Sequence, residues 1–299
     1  MKKQIIFNIA GGLGKNIMAT VVVESLKKAH PNRDIIVTTP WGIAWEGNPN
    51  VVKIVDLEKN PFFYRDCIKG TDSMICRLDP YNADDFFHMR KHLVDMWADL
   101  CGVKNEKEGS ECRPELFFTG AEKEAAMKKL YQDPSDKRPL FFIQPSGGAS
   151  NQPYPISWAR DLPLKIAQEV VDEMNKKGYR TIHFRRDNQI ALKDAEWIPF
   201  TLREALCAIQ FSDKRLFVDS VAAHAAAALG LPSVVTWVTN TPKIFGYKMH
   251  ENLETEEKKD MRHLPDAYLE PYNISGVWSE HPYHTDAIFD TSEILKKLL

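Results

Sequence analysis

FVDSVAAHAAAALGLPSVVTW, residues 217–237, reads as strand, tight turn, helix, stop and strand. Leu216, Phe217 and Val218 make a short apolar strand. Asp219 and Ser220 follow where that strand ends. Both are good N-caps, because their side-chain oxygens accept the free N–H groups of a first helical turn. The helix carries an almost unbroken Ala run from Ala222 to Ala228, with His224 in its first turn. Gly230 ends it and Pro232 prevents continuation. Small residues let such a helix lie close against a sheet, and Ser233–Trp237 starts the next buried strand. The uncapped N–H groups and positive dipole end at Ser220–His224 make an anion site. It sits outside the carboxyl end of a strand, where open α/β sheets bind ligands. Taken alone, the segment equally suits a well-packed buried helix with no ligand. The expectation of a phosphate-bearing ligand therefore rests on the rest of the chain.

With 299 residues, the chain is long enough for two domains of ordinary size. Its 43% hydrophobic and 27% charged residues are those of a soluble globular protein. A net charge of −2 gives no global attraction to nucleic acid or anionic membrane, so such a partner would need a local patch. The five cysteines, Cys67, Cys76, Cys101, Cys112 and Cys207, are scattered without metal-ligand spacing, which predicts reduced thiols. The opening MKKQIIFNIAGG is too briefly apolar for a signal peptide. No run approaches the roughly 20 apolar residues of a membrane span. The expected location is the cytoplasm of a bacterial or virus-infected cell.

Gln4–Ala10 reads as a strand, followed by Gly11-Gly12-Leu13-Gly14-Lys15-Asn16 and a helix from Ile17 to Ala29. The glycines allow a tight turn and close backbone approach. The loop is not a Walker A motif, which would need Gly in place of Ile9 and Ser or Thr in place of Asn16. The dinucleotide fingerprint is also incomplete, because Ile17 takes the place of its third glycine. Further strands are expected at Asp34–Thr39, Val51–Val55, Met74–Arg77 and Glu115–Phe118. Pro80 ends the fourth apolar run and leaves Asp79 at its carboxyl edge, either as a turn residue or in a cleft. The pattern predicts one long helix over Ala83–Leu100, with His88, His92, Asp95 and Asp99 along one face. That face reads better as a polar stripe than as a metal site. Another helix is expected over Ala121–Tyr131.

Gln132–Pro139 is polar and Pro-bracketed, and is the expected linker. It divides the chain into residues 1–134 and 135–299. Strand, loop and helix then start afresh at Leu140–Gln144, Pro145–Ser150 and Leu162–Lys177. A strand at Arg180–Phe184 and a helix at Thr201–Ile209 lead into the 217–237 stretch. Glu251–Arg262 reads as a solvated charged excursion. His281 and His284 have zinc-like spacing but lack the further ligands of a structural site. Ser292–Leu299 reads as a final helix.

Two such halves resemble the GT-B fold of glycosyltransferases, in which two Rossmann-like domains face a central cleft. The motifs are similar to those of the ADP-heptose:lipopolysaccharide heptosyltransferase family. Gly14–Thr20 running into Ser25–Pro31 resembles that family's first loop and helix, and Trp45–Val51 its turn before the third strand. Thr201–Glu204, Asp219-Ser220 with His224, and Ala226–Pro232 resemble its donor-site signature. Gly147–Ser150 and Arg160–Pro163 match its other donor loop more loosely. The resemblance reaches about Pro242 and is more specific in the C-terminal half.

The resemblance implies sugar transfer, with inversion, from a nucleoside-diphosphate sugar held by residues 135–299 to a hydroxyl presented by residues 1–134. In the donor site, the helix start at Ser220–His224 beside Asp219 would take the diphosphate. Ser146, Gly147 and Gly148 would approach the other phosphate, and Arg160 would add charge as the leaving group becomes more negative. Arg185 and Arg186 either flank the nucleotide or form a surface pair. No metal or other cofactor is expected if dipole and arginines neutralise the phosphates. In the acceptor half, the family's usual carboxylate after the first-loop glycine is replaced by Lys15, which makes a poor base without a strongly lowered pKa. Asp79 is the substitute, ahead of Asp84, Asp85 and His88, and the candidate catalytic residues are Asp79, Lys15 and Asn16. A glycan is the family's usual acceptor. Because no basic amphipathic helix suits a membrane, a hydroxylated base in viral DNA stays open, with Arg65, Lys69, Arg90 and Lys91 as local cations. Lys15 also leaves open a non-catalytic nucleotide-sugar binding module. The incomplete glycine fingerprint counts against a nicotinamide oxidoreductase.

Overall fold

The run QIIF at positions 4–7 is buried on both faces, as befits a central parallel strand. The computed structural model describes residues 1–133, 135–147, 160–238, 240–255 and 287–299. The chain forms two compact units, Met1–Phe118 and Thr119–Leu299.

The first unit runs β1 (Lys2–Asn8), α1 (Leu13–Ala29), β2 (Asp34–Thr38), β3 (Val51–Val55), β4 (Thr71–Cys76), α2 (Asp84–Phe87) and α3 (Leu93–Leu100). Its strands are all parallel in the order β3-β2-β1-β4, with Ile5 paired to Ile35 on one side and Met74 on the other. Successive connections leave β1 in opposite directions, so the strand order reverses between β1 and β4. The loops after those two strands therefore flank the crevice in which such sheets bind ligands.

The helix expected over 83–100 is broken in two. Met89 takes a positive φ of 49°, and His92 caps α3 instead of continuing a helix. The four polar side chains consequently go separate ways. His92 is buried, Asp95 accepts from Asn105 and the Gly109 N–H, and Asp99 pairs with Lys91. No strand forms at 115–118, where the Glu115 N–H is taken by the Thr20 hydroxyl.

The second unit runs α4 (Gly120–Leu130), β5 (Leu140–Gln144), α5 (Leu164–Lys176), β6 (Arg180–His183), α6 (Leu202–Ala208), β7 (Lys214–Val218), α7 (Val221–Leu229), β8 (Val234–Trp237), α8 (Pro242–Phe245), β9 (Glu251–Glu254) and α9 (Thr291–Leu298). Among the described residues its sheet is parallel in the order β6-β5-β7-β8-β9. The order reverses between β5 and β7. The start of the supposed charged excursion at Glu251 is instead strand β9, pairing with β8. His281 and His284 lie outside the described residues.

The unit boundary falls at Phe118, earlier than the Pro-bracketed stretch, because α4 packs on α6. Each helix opens with a capping box, Thr119–Glu122 and Thr201–Glu204. Each capping glutamate also holds a cation of the other helix: Glu122 pairs with Arg203 at 2.6 Å and Glu204 with Lys129 at 2.7 Å. The Arg203 guanidinium holds the Glu122 carboxyl down to about 2. Among the described residues, no helix is long and apolar enough to cross a membrane.

Candidate functional site

Each sheet carries several of its sequence-predicted residues on the loops at its point of strand reversal. In the second unit these are the loop after β5, with Ser146 and Gly147, and the turn after β7, with Asp219 and Ser220. α7 forms because Ala lies close to neighbours at no rotamer cost, and Ala223 and Ala225–Ala227 are at most 2% exposed. Gly230 closes it in the left-handed region at φ 74°.

Ser220 sits at the N-cap, but its side chain does not cap. Its Oγ donates to Gln144 Oε1 at 2.5 Å instead. The Ala223 and His224 N–H groups donate to the Ser220 carbonyl, and the positive dipole end at Val221 and Ala222 has no side-chain oxygen from Ser220 across it. Gly147 presses against this turn. A Cβ there would meet Val218 Cγ2 at 3.0 Å, the Asp219 carbonyl at 3.1 Å and Ser220 Cβ at 3.1 Å. The Gly147 N–H donates to Asp161 Oδ1 at 2.8 Å, fixing the loop.

Asp219 is buried. It accepts from Asn240 Nδ2 and lies 3.9 Å from Arg160 Nε. These contacts brace the turn that Asp219 opens. Arg160 is brought to the turn by the second of them. His224 is buried, and its Nδ1 shares a 3.0 Å hydrogen bond with Tyr247 Oη. Arg185 lies off β6, its guanidinium 5.1 Å from the centre of the Trp197 ring. Arg186 is exposed. Gly148 lies outside the described residues.

In the first unit, the loops at the reversal bring Lys15 and Asp79 together. Lys15 Nζ is 2.7 Å from both Asp79 oxygens, 4.2 Å from the Tyr81 ring centre and 5.4 Å from that of Trp97. Asp79 Oδ1 also accepts the Tyr81 N–H at 3.0 Å. The side chains are 5% exposed for Lys15 and 27% for Asp79, so the carboxylate is the more open member. Asn16 is fully buried. Its Oδ1 accepts from Thr39 and Trp45 and its Nδ2 donates to the Gly12 carbonyl. It ties the glycine loop to β2's end, with both its amide atoms engaged by the protein. Asp84, Asp85 and His88 belong to a separate surface network with Arg90 and Lys91.

Sequence reasoning missed Gln144, Tyr81, Trp97 and Tyr247, and placed Asp161 only within the looser Arg160–Pro163 match. Gln144 alone carried a signal, as the polar end of the apolar run LFFI. The others are set by contacts distant along the chain. Among the described residues, no group of three or more His, Cys, Asp or Glu side chains could hold a metal ion.

No protein-family model matches the sequence, and no curated protein does. Solved structures do. A glycosyl transferase family 9 protein from Veillonella parvula matches 99% of this chain and 95% of its own, with a TM-score of 0.69 at 16% identity. The E. coli ADP-heptose lipopolysaccharide heptosyltransferase II matches 90% of this chain and 97% of its own, with a TM-score of 0.62 at 16% identity. An E. coli heptosyltransferase solved with ADP matches 90% and 98%, with a TM-score of 0.56 at 11% identity. With two parallel Rossmann-like sheets and these neighbours, the chain has the GT-B fold, in a form similar to that of heptosyltransferases.

Proposed function

We propose that this chain is a glycosyltransferase that moves a sugar from a nucleoside-diphosphate sugar to a hydroxyl acceptor, with inversion and without a metal ion. The observation that carries the proposal is the turn after β7. Ser220 gives its hydroxyl to Gln144, Gly147 lies against the turn, and the first turn of α7 faces the β5–β7 reversal. Backbone N–H groups and a helix dipole aimed there stabilise the charge that builds on a departing diphosphate. Arg160 adds a cation beside them. That two of the fold's neighbours are named for ADP-heptose or were solved with ADP supports a nucleoside diphosphate as the ligand class.

The first unit supplies the proton acceptor. Asp79 is the open carboxylate of its ion pair, and an acceptor hydroxyl bound against it would pass its proton to Oδ1 or Oδ2 while attacking the sugar carbon. Lys15 stays behind the carboxylate and balances its charge. A glycan is the proposed acceptor.

The test is a thermal-shift panel of nucleoside diphosphates and their sugars, since a ligand that binds only the native state raises the melting point. One nucleoside diphosphate should give a clear shift. No shift with any of them, in folded protein, would remove the donor site. Transfer assays with glycan acceptors and hydroxymethylated DNA then separate the two acceptor classes. The closed Lys15–Asp79 pair favours one second reading, a nucleotide-sugar binding module without turnover. Measurable donor hydrolysis would exclude it.

A further inference from the structure

We propose that Trp197, backed by Arg185, is the stacking platform for the nucleobase of the bound nucleotide. The inference rests on the reading that the second unit takes a nucleoside diphosphate, and adds where and how its heterocycle is held.

Trp197 is 40% exposed, whereas Trp45, Trp97 and Trp237 are each only 1% exposed. It is nonetheless fixed. Its Nε1 donates to the Arg185 carbonyl at 3.1 Å, and the Arg185 guanidinium lies over the ring. Arg185 is itself held, with Nη1 donating to the carbonyls of Arg186 and Gln189. Its Nε is buried with no hydrogen-bond partner among the described residues. The Arg186 N–H returns to Gln189 Oε1 at 2.8 Å, closing the loop on itself. The result is an indole braced by a cation, with part of its surface left open to solvent. Such a surface suits a flat heterocycle, because aromatic and guanidinium planes stack on any base through its π-face.

The platform also lies on the correct edge of the sheet. Glu196 bridges in parallel to Ile182 of β6, so residue 197 runs toward the same carboxyl edge as the loops after β5 and β7. From the turn after β7 to this position is three strand spacings, roughly 14 Å at about 4.8 Å each. A nucleoside diphosphate extends over such a span between its terminal phosphate and its base. Gln189 Nε2 approaches the Ser146 carbonyl at 3.5 Å, so the platform loop and the loop after β5 are neighbours.

The test is calorimetric titration of the wild type, Trp197→Ala and Trp197→Phe with the five common nucleoside diphosphates and with inorganic pyrophosphate. Trp197→Ala should weaken the tightest nucleoside diphosphate about 10- to 100-fold, the range of one lost base stack. Trp197→Phe should retain most of the affinity, and pyrophosphate should bind all three proteins alike. If Trp197→Ala binds the nucleotide as tightly as the wild type, the platform is wrong and the donor site stands. If pyrophosphate weakens in parallel, the residue supports the loop rather than the base, which also overturns the proposal. If the wild type binds no nucleoside diphosphate, the donor reading itself falls.

Discussion

Lys15 and Asp79 form an ion pair in which one ammonium nitrogen lies 2.7 Å from both carboxylate oxygens, across 64 residues of sequence. The pair joins the first turn of α1 to the loop after β4. Removing one partner from a buried pair strands the other charge, whereas replacing both with neutral groups is often harmless. Lys15 is the deeply buried partner. Asp79→Asn should therefore lower stability by about 2–3 kcal/mol, less than the roughly 3–5 kcal/mol of a fully buried pair because Asp79 is partly open. Adding Lys15→Met should recover most of that loss. Urea unfolding of both single variants and the double variant completes the cycle, and strictly additive losses would show that the pair is not coupled.

The chemistry of the same residue separates from its structural part. In the Lys15→Met background, where no ammonium is stranded, Asp79→Asn should still reduce sugar transfer about 10²- to 10⁴-fold, the usual weight of a positioned base. Melting-point shifts with the donor should be unchanged. Full transfer by that double variant would remove Asp79 from the reaction.

Gly147→Ala should weaken nucleotide binding and cost about 1–3 kcal/mol of stability, the usual penalty of overpacking. The added methyl would meet Val218 Cγ2 and two atoms of the turn after β7, none of them at the end of a flexible chain. Titration with the preferred nucleoside diphosphate reads the first effect and denaturant unfolding the second. An unperturbed Kd would mean that the turn is not the phosphate site.

Acid stability should depend on His250. Burial pushes its imidazole down to about 4, with the Ala223 carbonyl partly opposing that and the Arg215 charge adding to it. Nδ1 accepts from the Ser233 N–H and Nε2 lies 3.1 Å from the Ala223 carbonyl, an arrangement suited to the neutral ring. The unfolded chain takes up its proton near 6.5. Between about 6.5 and about 4 the unfolded state then binds more protons, so stability is full above that window and falls as the pH drops through it. His250→Gln should flatten the stability–pH slope in this window, measured by unfolding at closely spaced pH values. An unchanged slope would exclude His250 as a source.

Most of the fold could be read from apolar runs bounded by Gly and Pro. Leu140–Gln144 and Val51–Val55 are observed as expected, and the Asp219–Trp237 stretch is observed nearly residue for residue. These signals are local. The long helix over 83–100 failed because periodicity does not register the break at Met89, and the compact units divide at Phe118, ahead of the linker-like stretch, because composition does not reveal which unit a helix packs on. At the candidate site, the sequence identified Asp79 and Lys15 separately, but not their contact or the Ser220–Gln144 bond that takes the capping hydroxyl away from α7. Both depend on partners more than 60 residues away.

The reciprocal glutamate straps between α4 and α6 bear on how the chain is made. A ribosome releases α4 directly after the first unit, and that unit can fold at once from contiguous sequence. Glu122, however, finds Arg203 only 81 residues later. At about 5–20 residues per second, α4 therefore waits several seconds as a tethered, undocked helix before its partner emerges. The Thr119–Glu122 capping box, by contrast, is local to α4 and needs no later residue.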